Sequence, residues 1–247
     1  MLNLNRVYNI DCMEGLKQLE DESVDCVVTS PPYNIKTFRR NSGGGRNSCH
    51  RKYAAWVDSN WYADNMDEQK YQEWQQRVIR ELLRVCPGPV FYNHKIRYGV
   101  ARTGRCVHPM AWLQEFPLWE EIIWERQGSM AINCRRWAPA DERIYMLGRP
   151  RKWHGNQAKG TSIWRMNYSK DQSHPCPFPE ELVARCIQAT TDPGDLVLDP
   201  FCGIGTVCFV AKKLGRCYMG FDNCKAFVDE AELRLESLAF VPRCNRA

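Results

Sequence analysis

The chain of 247 residues lacks any apolar run long enough to cross a membrane, since a spanning helix needs about 20 predominantly apolar residues. Its first residues also lack a basic stretch followed by an apolar one, so no secretory signal is indicated. With 44% hydrophobic and 26% charged residues, the composition excludes fibrous and disordered chains. These absences predict a globular intracellular protein with no membrane partner.

Closely spaced cysteine pairs are missing as well. The thirteen cysteines are an odd number, lie scattered along the whole chain and never form a Cys-x-x-Cys pair. A disulfide framework or a structural zinc site would need such pairing. We therefore expect reduced thiols and no bound metal.

Two segments contain no acidic residue, although the formal net charge of the chain is only +5. Residues 36–53 and 148–170 each hold six lysines or arginines together with Gly, Asn, Ser and aromatic side chains. Cations for phosphates, polar donors and aromatic faces are what nucleic-acid binding requires. The alternative is that both segments are solvated loops whose positive charge offsets the net negative charge of the rest of the chain. The candidate nucleic-acid-binding residues are Lys36, Arg39, Arg40, Arg46, Arg51, Lys52, Arg149, Arg151, Lys152 and Lys159.

Apolar segments of strand and helix length alternate along the chain. Residues 25–29 and 196–199 are short apolar runs typical of strands buried on both faces, whereas 67–85 shows the three- and four-residue spacing of one helical stripe. The pattern predicts further strands at 6–10, 90–92, 121–124, 143–147 and 217–221, and further helices at 13–19, 180–189, 206–214 and 227–238. This alternation predicts an α/β fold with an open, mostly parallel sheet.

The segment from Leu196 to Thr206, LVLDPFCGIGT, has the pattern of a strand, a glycine turn and the start of a helix. A phosphate-binding loop would need a lysine after the glycines, and a dinucleotide-binding turn would need a third glycine where Cys208 stands. Instead, Asp199 can accept from an ammonium group, and Asp222 ends the next strand, where such folds bind ribose hydroxyls. An amine and a ribose without a phosphate indicate S-adenosylmethionine. The alternative is a glycine turn needed only for packing.

A second motif, Thr29-Ser-Pro-Pro-Tyr-Asn34, directly follows the first buried strand. Its prolines fix the backbone, so the Ser30 hydroxyl and the Pro31 carbonyl form a rigid set of acceptors. An exocyclic amine that donates to them would have its lone pair localised, and the charge that develops as a methyl group arrives would be stabilised. Tyr33 would stack on an extruded base. Alone, Pro-Pro-Tyr is more often a turn or a proline-rich ligand. The candidate catalytic residues are Ser30, Pro31, Pro32 and Tyr33.

Together, TSPPYN and the later DPFCGIGT resemble the DNA amino-methyltransferases of the β class, in which the catalytic motif precedes the cofactor motif. The resemblance extends to Asp11-Cys12, RVCPGPVFYN at 84–93, HPCPFP at 174–179 and GFD at 220–222. Gly88-Pro89 departs from the family, which commonly has two glycines there. The resemblance therefore covers nearly the whole chain.

This resemblance implies a Rossmann-like class I methyltransferase fold: a seven-stranded, mostly parallel sheet with helices on both faces and a circularly permuted order. It implies one domain over 1–247, with a catalytic half at 1–147 that includes the basic loop 36–53, a short target-recognition insert at 148–173 and a half at 174–247 that binds S-adenosylmethionine. The implied cofactor-binding residues are Asp11, Cys12, Phe178, Asp199, Pro200, Phe201, Cys202, Gly203, Gly205, Thr206 and Asp222.

The family's activity implies a site-specific DNA methyltransferase that acts on a base flipped out of double-stranded DNA. Serine before Pro-Pro-Tyr is more typical of enzymes that methylate N4 of cytosine, so we favour that product over N6-methyladenine, which stays an alternative. A catalytically weak nucleic-acid-binding or regulatory protein on the same fold is a further alternative. We expect a monomer or homodimer and a nucleoid-associated cytoplasmic location, or a nuclear one in a eukaryote. Whether a cognate restriction nuclease is a second partner is left open by the sequence.

Overall fold

The computed structural model describes residues 2–34, 66–98, 106–126, 137–155, 160–167 and 178–238. These residues form ten strands: β1 (Arg6–Asn9), β2 (Cys26–Thr29), β3 (Val90–His94), β4 (Arg97–Tyr98), β5 (Cys106–Val107), β6 (Leu118–Glu125), β7 (Asp141–Leu147), β8 (Ile163–Arg165), β9 (Leu196–Asp199) and β10 (Cys217–Asp222). They also form six helices: α1 (Cys12–Leu16), α2 (Glu68–Val85), α3 (Met110–Leu113), α4 (Glu180–Thr190), α5 (Thr206–Lys213) and α6 (Lys225–Glu236).

Eight of these strands form one sheet in the order β1-β10-β9-β2-β3-β7-β6-β8. Strand β7 is antiparallel to both of its neighbours, β3 and β6, whereas the other neighbouring pairs are parallel. The prediction of a mostly parallel α/β sheet is confirmed. The sheet has eight strands rather than seven, because Ile163–Arg165, inside the predicted recognition insert, adds an edge strand beside β6.

The pattern of alternate residues on the strands explains why helices cover both faces of the sheet. On β2, Val27 packs into the cluster that contains the buried stripe of α2, whereas Cys26 and Val28 pack into the cluster formed by α4, α5 and α6. All four residues of β2 are buried, and so are all four residues of β9. Such strands are central ones, and loops that leave them can meet at a sheltered site.

Strands β2 and β9 are neighbours although they are far apart in the sequence. They pair in parallel, with Cys26 opposite Val197 and Val27 opposite Leu198. Their carboxyl ends therefore lie at the same edge of the sheet, together with those of β1, β3 and β10. We call this the carboxyl edge, and the opposite one the amino edge. Ligands of open α/β sheets bind at the carboxyl edge.

The cysteines agree only in part with the expectation of reduced thiols. Among the residues that the structure describes, eight cysteines are free. Cys217 is disulfide-bonded, so the expectation is wrong at that position. The same ranges contain no cluster of side chains that could hold a metal ion. No helix within them is both long and apolar enough to span a bilayer.

Candidate active site

The motif Thr29–Asn34 and the glycine turn are joined by one buried hydrogen bond. Thr29, the last residue of β2, donates from Oγ1 to Oδ1 of Asp199, the last residue of β9, over 2.8 Å. Both side chains are buried. The bond fixes the relative position of the two loops that follow, which are Ser30–Asn34 and Pro200–Gly205. The structure thus brings the two predicted motifs together at the carboxyl edge.

Asp199 lies in surroundings that oppose its negative charge. Burial raises the pKa of its carboxyl group to about 7, and the neighbouring Asp222 carboxylate acts in the same direction. Hydrogen bonds from Thr29 and from the Phe201 backbone N–H, at 3.1 Å, act in the opposite direction because they stabilise the carboxylate. Among the described residues, no cation forms an ion pair with Asp199. A cationic ligand would therefore be stabilised beside it.

Asp222 is held at the end of β10 by the backbone of the neighbouring turns. Its carboxylate accepts from the Gly203 N–H over 3.0 Å and from the Cys224 N–H over 2.8 Å. Burial raises the pKa of this carboxyl group as well. Each oxygen takes one backbone donor, which leaves lone pairs for further donors. The side chain is thus oriented, and it can still accept from a ligand.

The other residues implied as cofactor-binding also lie at this edge. Asp11 caps α1 by accepting from the Met13 N–H over 2.9 Å, and Cys12 is buried beside it. The backbone N–H of Ile10, just before this cap, donates to the Asp222 carbonyl over 3.0 Å. Phe178 precedes α4, and its ring lies 6.4 Å from that of Trp124.

The glycine turn is shaped by packing as well as by its own backbone. Gly203 and Gly205 have φ of +51° and +74°, in the region that favours glycine. A Cβ on Gly205 would lie 2.8 Å from the Cβ of Ala231 on α6, so packing alone accounts for this glycine. Next to the turn, the Phe201 ring contacts Trp74 of α2 edge to face at 5.7 Å. Trp74 is only half-buried, so it is not simply a core residue of the helical stripe, as its spacing suggests.

Ser30 belongs to a polar network that the sequence does not reveal. Its Oγ lies 2.8 Å from the Tyr33 hydroxyl, which donates to Glu142 Oε2 over 3.1 Å. Asn93, the last but one residue of β3, directs its Nδ2 toward Ser30, Tyr33 and Glu142. The Nδ2 atom lies 3.4 Å from Ser30 Oγ and 3.0 Å from Glu142 Oε2, and its shortest contact is with the Tyr33 hydroxyl. Glu142 in turn pairs with Arg126 at 3.3 Å.

The two proline carbonyls differ in their surroundings. The Pro32 carbonyl accepts from the Tyr71 hydroxyl over 2.7 Å and from Gln75 Nε2 over 3.4 Å, both on α2. No described residue donates to the Pro31 carbonyl. Helix α2 therefore fixes the loop through one carbonyl and leaves the other as an acceptor for a ligand.

His94 lies beside this loop in a neutral state. Complete burial lowers the pKa of its imidazole to about 3, and the neighbouring Arg97 and Lys95 charges act in the same direction. Its ring nitrogens contact the Tyr71 hydroxyl at 2.7 Å and the Lys95 carbonyl at 2.8 Å. The ring centroid is 4.5 Å from that of Tyr33. His94 thus supports the Tyr33 ring and is not poised as an acid or base.

The predicted basic residues are not gathered at this edge. Segment 148–155 follows β7, whose end pairs with the start of β3 at the amino edge. There Arg151 pairs with Glu22, Lys152 pairs with Asp192 and Asp195 at 2.8 Å and 2.7 Å, and Arg149 lies over Trp119 at 5.7 Å. The structure does not bring these three basic residues to Ser30. The remaining predicted cations, Lys36, Arg39, Arg40, Arg46, Arg51, Lys52 and Lys159, lie outside the described residues.

Sequence reasoning missed three residues of the site. Thr29 was visible only as the first letter of the motif, and Asn93 only as the end of the matched segment 84–93. Glu142 gives no local signal, because its contacts with Tyr33 and Asn93 depend on the antiparallel pairing of β7 with β3. A buried carboxylate at 6% exposure among apolar strand residues is the feature that singles it out in the structure.

A comparison with known families agrees with this geometry. A family model described as DNA methylase matches residues 24–233. The chain belongs to this DNA methylase family. The match confirms the resemblance found in the two motifs. Both motifs, TSPPYN first and DPFCGIGT second along the chain, lie at one edge of the sheet.

Two curated relatives match the methylase over most of its length. It is 28% identical over 273 residues to the type II methyltransferase M.BglII of Bacillus subtilis, an alignment that covers 93% of this chain and 68% of the relative. It is 27% identical over 259 residues to the type II methyltransferase M.HinfI of Haemophilus influenzae, with 95% and 69% covered. Both relatives are named as type II methyltransferases.

Solved structures share the fold of the methylase. The PvuII DNA methyltransferase, named as cytosine-N4-specific, superposes with a TM-score of 0.72 at 19% identity over 92% of this chain and 85% of that chain. A DNA modification methylase from Thermus thermophilus, in complex with S-adenosyl-L-methionine, superposes with a TM-score of 0.66 at 21% identity, with 96% of each chain covered. At these identities, the likeness supports the shared fold alone.

We expect Thr29→Val to lower the free energy of unfolding by about 1–3 kcal/mol, because it removes a donor from a buried carboxyl group and keeps the shape of the side chain. The hydroxyl bonds more strongly to the ionised carboxylate, so the loss should be larger at pH 8 than at pH 5. Urea unfolding at both pH values measures it. Thr190→Val is the matched control, since its hydroxyl donates to the neutral Cys186 carbonyl over 3.0 Å. Equal losses for Thr29→Val at the two pH values would contradict the assigned partner.

Proposed function

We propose that this methylase transfers the methyl group of S-adenosylmethionine to N4 of a cytosine flipped out of double-stranded DNA. The observation that carries the proposal is the Thr29–Asp199 hydrogen bond, which holds the acceptor loop next to the glycine turn. A methyl donor bound at the turn and an amine bound at the loop would then lie side by side. Catalysis of this kind works by positioning and by electrostatic stabilisation.

The residues at the glycine turn fit S-adenosylmethionine. Asp199 would accept from the ammonium group of the cofactor, whose charge would offset the desolvation of this carboxyl. Asp222, oriented by Gly203 and Cys224, would accept from the ribose hydroxyls. Asp11-Cys12 would border the adenine, and Phe178 would contact another part of the cofactor. The buried Asp199 carboxylate and the partly buried Asp222 carboxylate would repel a phosphate, so the site suits this cofactor better than a nucleotide. When bound, the cofactor supplies an electrophilic methyl group.

The acceptor loop fits an exocyclic amine. Ser30 Oγ and the Pro31 carbonyl would accept the two N–H groups of the amine, which localises the nitrogen lone pair toward the methyl group. The Pro32 carbonyl, held by Tyr71 at 2.7 Å, keeps the loop in place. The Tyr33 ring, backed by His94, would stack on the extruded base. No acid or base is needed from His94, which is neutral.

The choice of cytosine rests on Ser30. A hydroxyl is a weaker acceptor than a carboxylate, and serine at this position is more typical of N4-cytosine enzymes in the family. The PvuII enzyme is named as cytosine-N4-specific, but at 19% identity it supports only the fold. N6-methylation of adenine is the alternative product at the same loop.

The basic loop 36–53 is proposed to bind DNA phosphates beside the base. Asn34 and Met66, which flank residues 35–65, are bonded to each other: Asn34 Nδ2 donates to the Met66 carbonyl over 3.1 Å, and the Met66 N–H donates to Asn34 Oδ1 over 2.8 Å. Asn34 directly follows Tyr33, so the two residues that flank segment 35–65 lie beside the acceptor loop. The six cations of residues 36–53 are the groups we propose for the phosphates. We retain the single-domain organisation, with a catalytic half at 1–147 and a cofactor half at 174–247.

The product decides the proposal. After incubation with unmethylated mixed-sequence duplex DNA and S-adenosylmethionine, mass spectrometry of the released nucleosides should show N4-methyldeoxycytidine.

Ser30→Ala should lower kcat by roughly 10- to 1000-fold and leave cofactor affinity unchanged, because one charge-stabilising acceptor is lost. N6-methyldeoxyadenosine as the product would contradict the cytosine assignment, and an unchanged rate in Ser30→Ala would remove Ser30 from the mechanism.

Cofactor affinity should depend on pH through Asp199. In the free protein, this carboxyl has a pKa of about 7, so below pH 7 it is protonated and must lose a proton before it can pair with an ammonium group. Affinity for S-adenosylmethionine should therefore increase between pH 5.5 and pH 7.5, by up to about ten-fold per pH unit at the acidic end. Calorimetry measures it. Asp199→Asn should bind more weakly and with a flat profile, and a flat profile in the unmodified protein would contradict the assignment.

A further inference from the structure

The Ser30 hydroxyl can act in the reaction only if its hydrogen points away from the amine. A hydroxyl both donates and accepts, and the proposed function on which this inference rests requires it to accept. The short contact with Tyr33 does not settle the direction, since either hydroxyl of that 2.8 Å pair could be the donor. The rest of the network determines which of them donates.

The far end of the network is a buried carboxylate, Glu142, at 6% exposure. Its Oε1 pairs with the Arg126 guanidinium at 3.3 Å, and its Oε2 accepts from Asn93 Nδ2 at 3.0 Å and from the Tyr33 hydroxyl at 3.1 Å. Three donors converge on this side chain, and one of them is a cation. A carboxylate only accepts hydrogen bonds, so all three of these groups donate to Glu142.

The direction of each hydrogen bond then follows from Glu142. The single hydrogen of Tyr33 is used on the carboxylate, so the Tyr33 oxygen accepts. The group that donates to it across 2.8 Å is the Ser30 hydroxyl. Asn93 Nδ2 also donates toward these oxygens and has no lone pair with which to accept. With its only hydrogen on Tyr33, Ser30 presents lone pairs to the amine.

The opposite arrangement is less stable. If Tyr33 donated to Ser30, Glu142 would lose a charge-assisted hydrogen bond, whereas the neutral bond between Tyr33 and Ser30 would only reverse its direction. Hydrogen bonds to ionised groups are roughly twice as strong as neutral ones, and burial increases the difference. The carboxylate therefore biases the network toward an accepting Ser30 before any substrate binds.

We propose that Glu142 is a positioning residue for methyl transfer, which acts through Tyr33 to fix the hydroxyl hydrogen of Ser30 away from the substrate amine. It touches neither cofactor nor base in this role. An amide at position 142 would bring its own hydrogens into the network, and the direction of the Tyr33 and Ser30 hydroxyls would no longer be set.

A double-mutant cycle tests the proposal. Glu142→Gln should lower kcat roughly ten-fold or more, while the KM for DNA and the calorimetric Kd for S-adenosylmethionine change less than about two-fold. In the Ser30→Ala background, the same substitution should change kcat by less than about two-fold, because the hydroxyl that it orients is absent. An equally large loss in both backgrounds would overturn the proposal, and so would an unchanged kcat in the single variant.

The matched control is Glu125→Gln. Glu125 lies on β6 opposite Asp141 of β7, is also paired with an arginine, Arg165 at 2.9 Å, and has no contact with Ser30, Tyr33 or Asn93 among the described residues. Its substitution should leave kcat within about two-fold of the unmodified value. A loss equal to that of Glu142→Gln would show a general effect of charge at this edge and would overturn the proposal.

Tyr33→Phe keeps the proposal testable if Glu142→Gln does not fold. It removes only the hydroxyl that links Ser30 to Glu142 and keeps the ring for stacking. It should show the same loss in kcat, and the same absence of loss in the Ser30→Ala background. If the unmodified protein yields N6-methyldeoxyadenosine, the proposed base is wrong. The kcat values of the double-mutant cycle are then measured for that product, and the same results support or contradict the role of Glu142.

Discussion

The site depends on one buried contact, the hydrogen bond from Thr29 to the Asp199 carboxyl group. It joins the ends of two central strands whose residues are 170 positions apart in the chain. Parallel pairing of β2 with β9 makes both strands end at the same level, so the acceptor loop and the glycine turn leave the sheet side by side. This arrangement removes the Asp199 carboxyl group from water, which is unfavourable, and hydrogen bonds from Thr29 and the Phe201 N–H offset that desolvation in part. A cationic ligand would complete this compensation.

The polar groups of the network around Ser30 are largely shielded from water, and this keeps each of them in one orientation. Asn93, at 2% exposure, directs its Nδ2 toward three oxygens, while its Oδ1 accepts from none of the described residues. Glu142 is buried, and Arg126, which pairs with it, has a side chain that is 11% exposed. In such surroundings an unsatisfied group is costly, so rotation of any member of the network is disfavoured. The acceptors are therefore fixed before substrate arrives, and this limits the reorganisation that the reaction requires.

The sequence predicted the parts of the fold that depend on local patterns. The fully apolar strands β2 and β9, the stripe of α2 and the turn at Gly203 each have a signal within a few residues, and their order predicted the mostly parallel sheet. Contacts that depend on strand pairing have no such signal. Glu142 reaches Tyr33 only because β7 lies antiparallel to β3. The basic segment after β7 looked suited to DNA, but Arg151 and Lys152 are paired with acidic residues at the amino edge.

The most direct measurement is a crystal structure of the protein with S-adenosylmethionine bound. The account predicts the ammonium group against Asp199, the ribose against Asp222, and the sulfonium methyl carbon within roughly 6 Å of Ser30 Oγ, close enough for a hydrogen-bonded amine to lie between them. A cofactor bound elsewhere on the sheet, or one whose methyl group points away from Ser30, would contradict it.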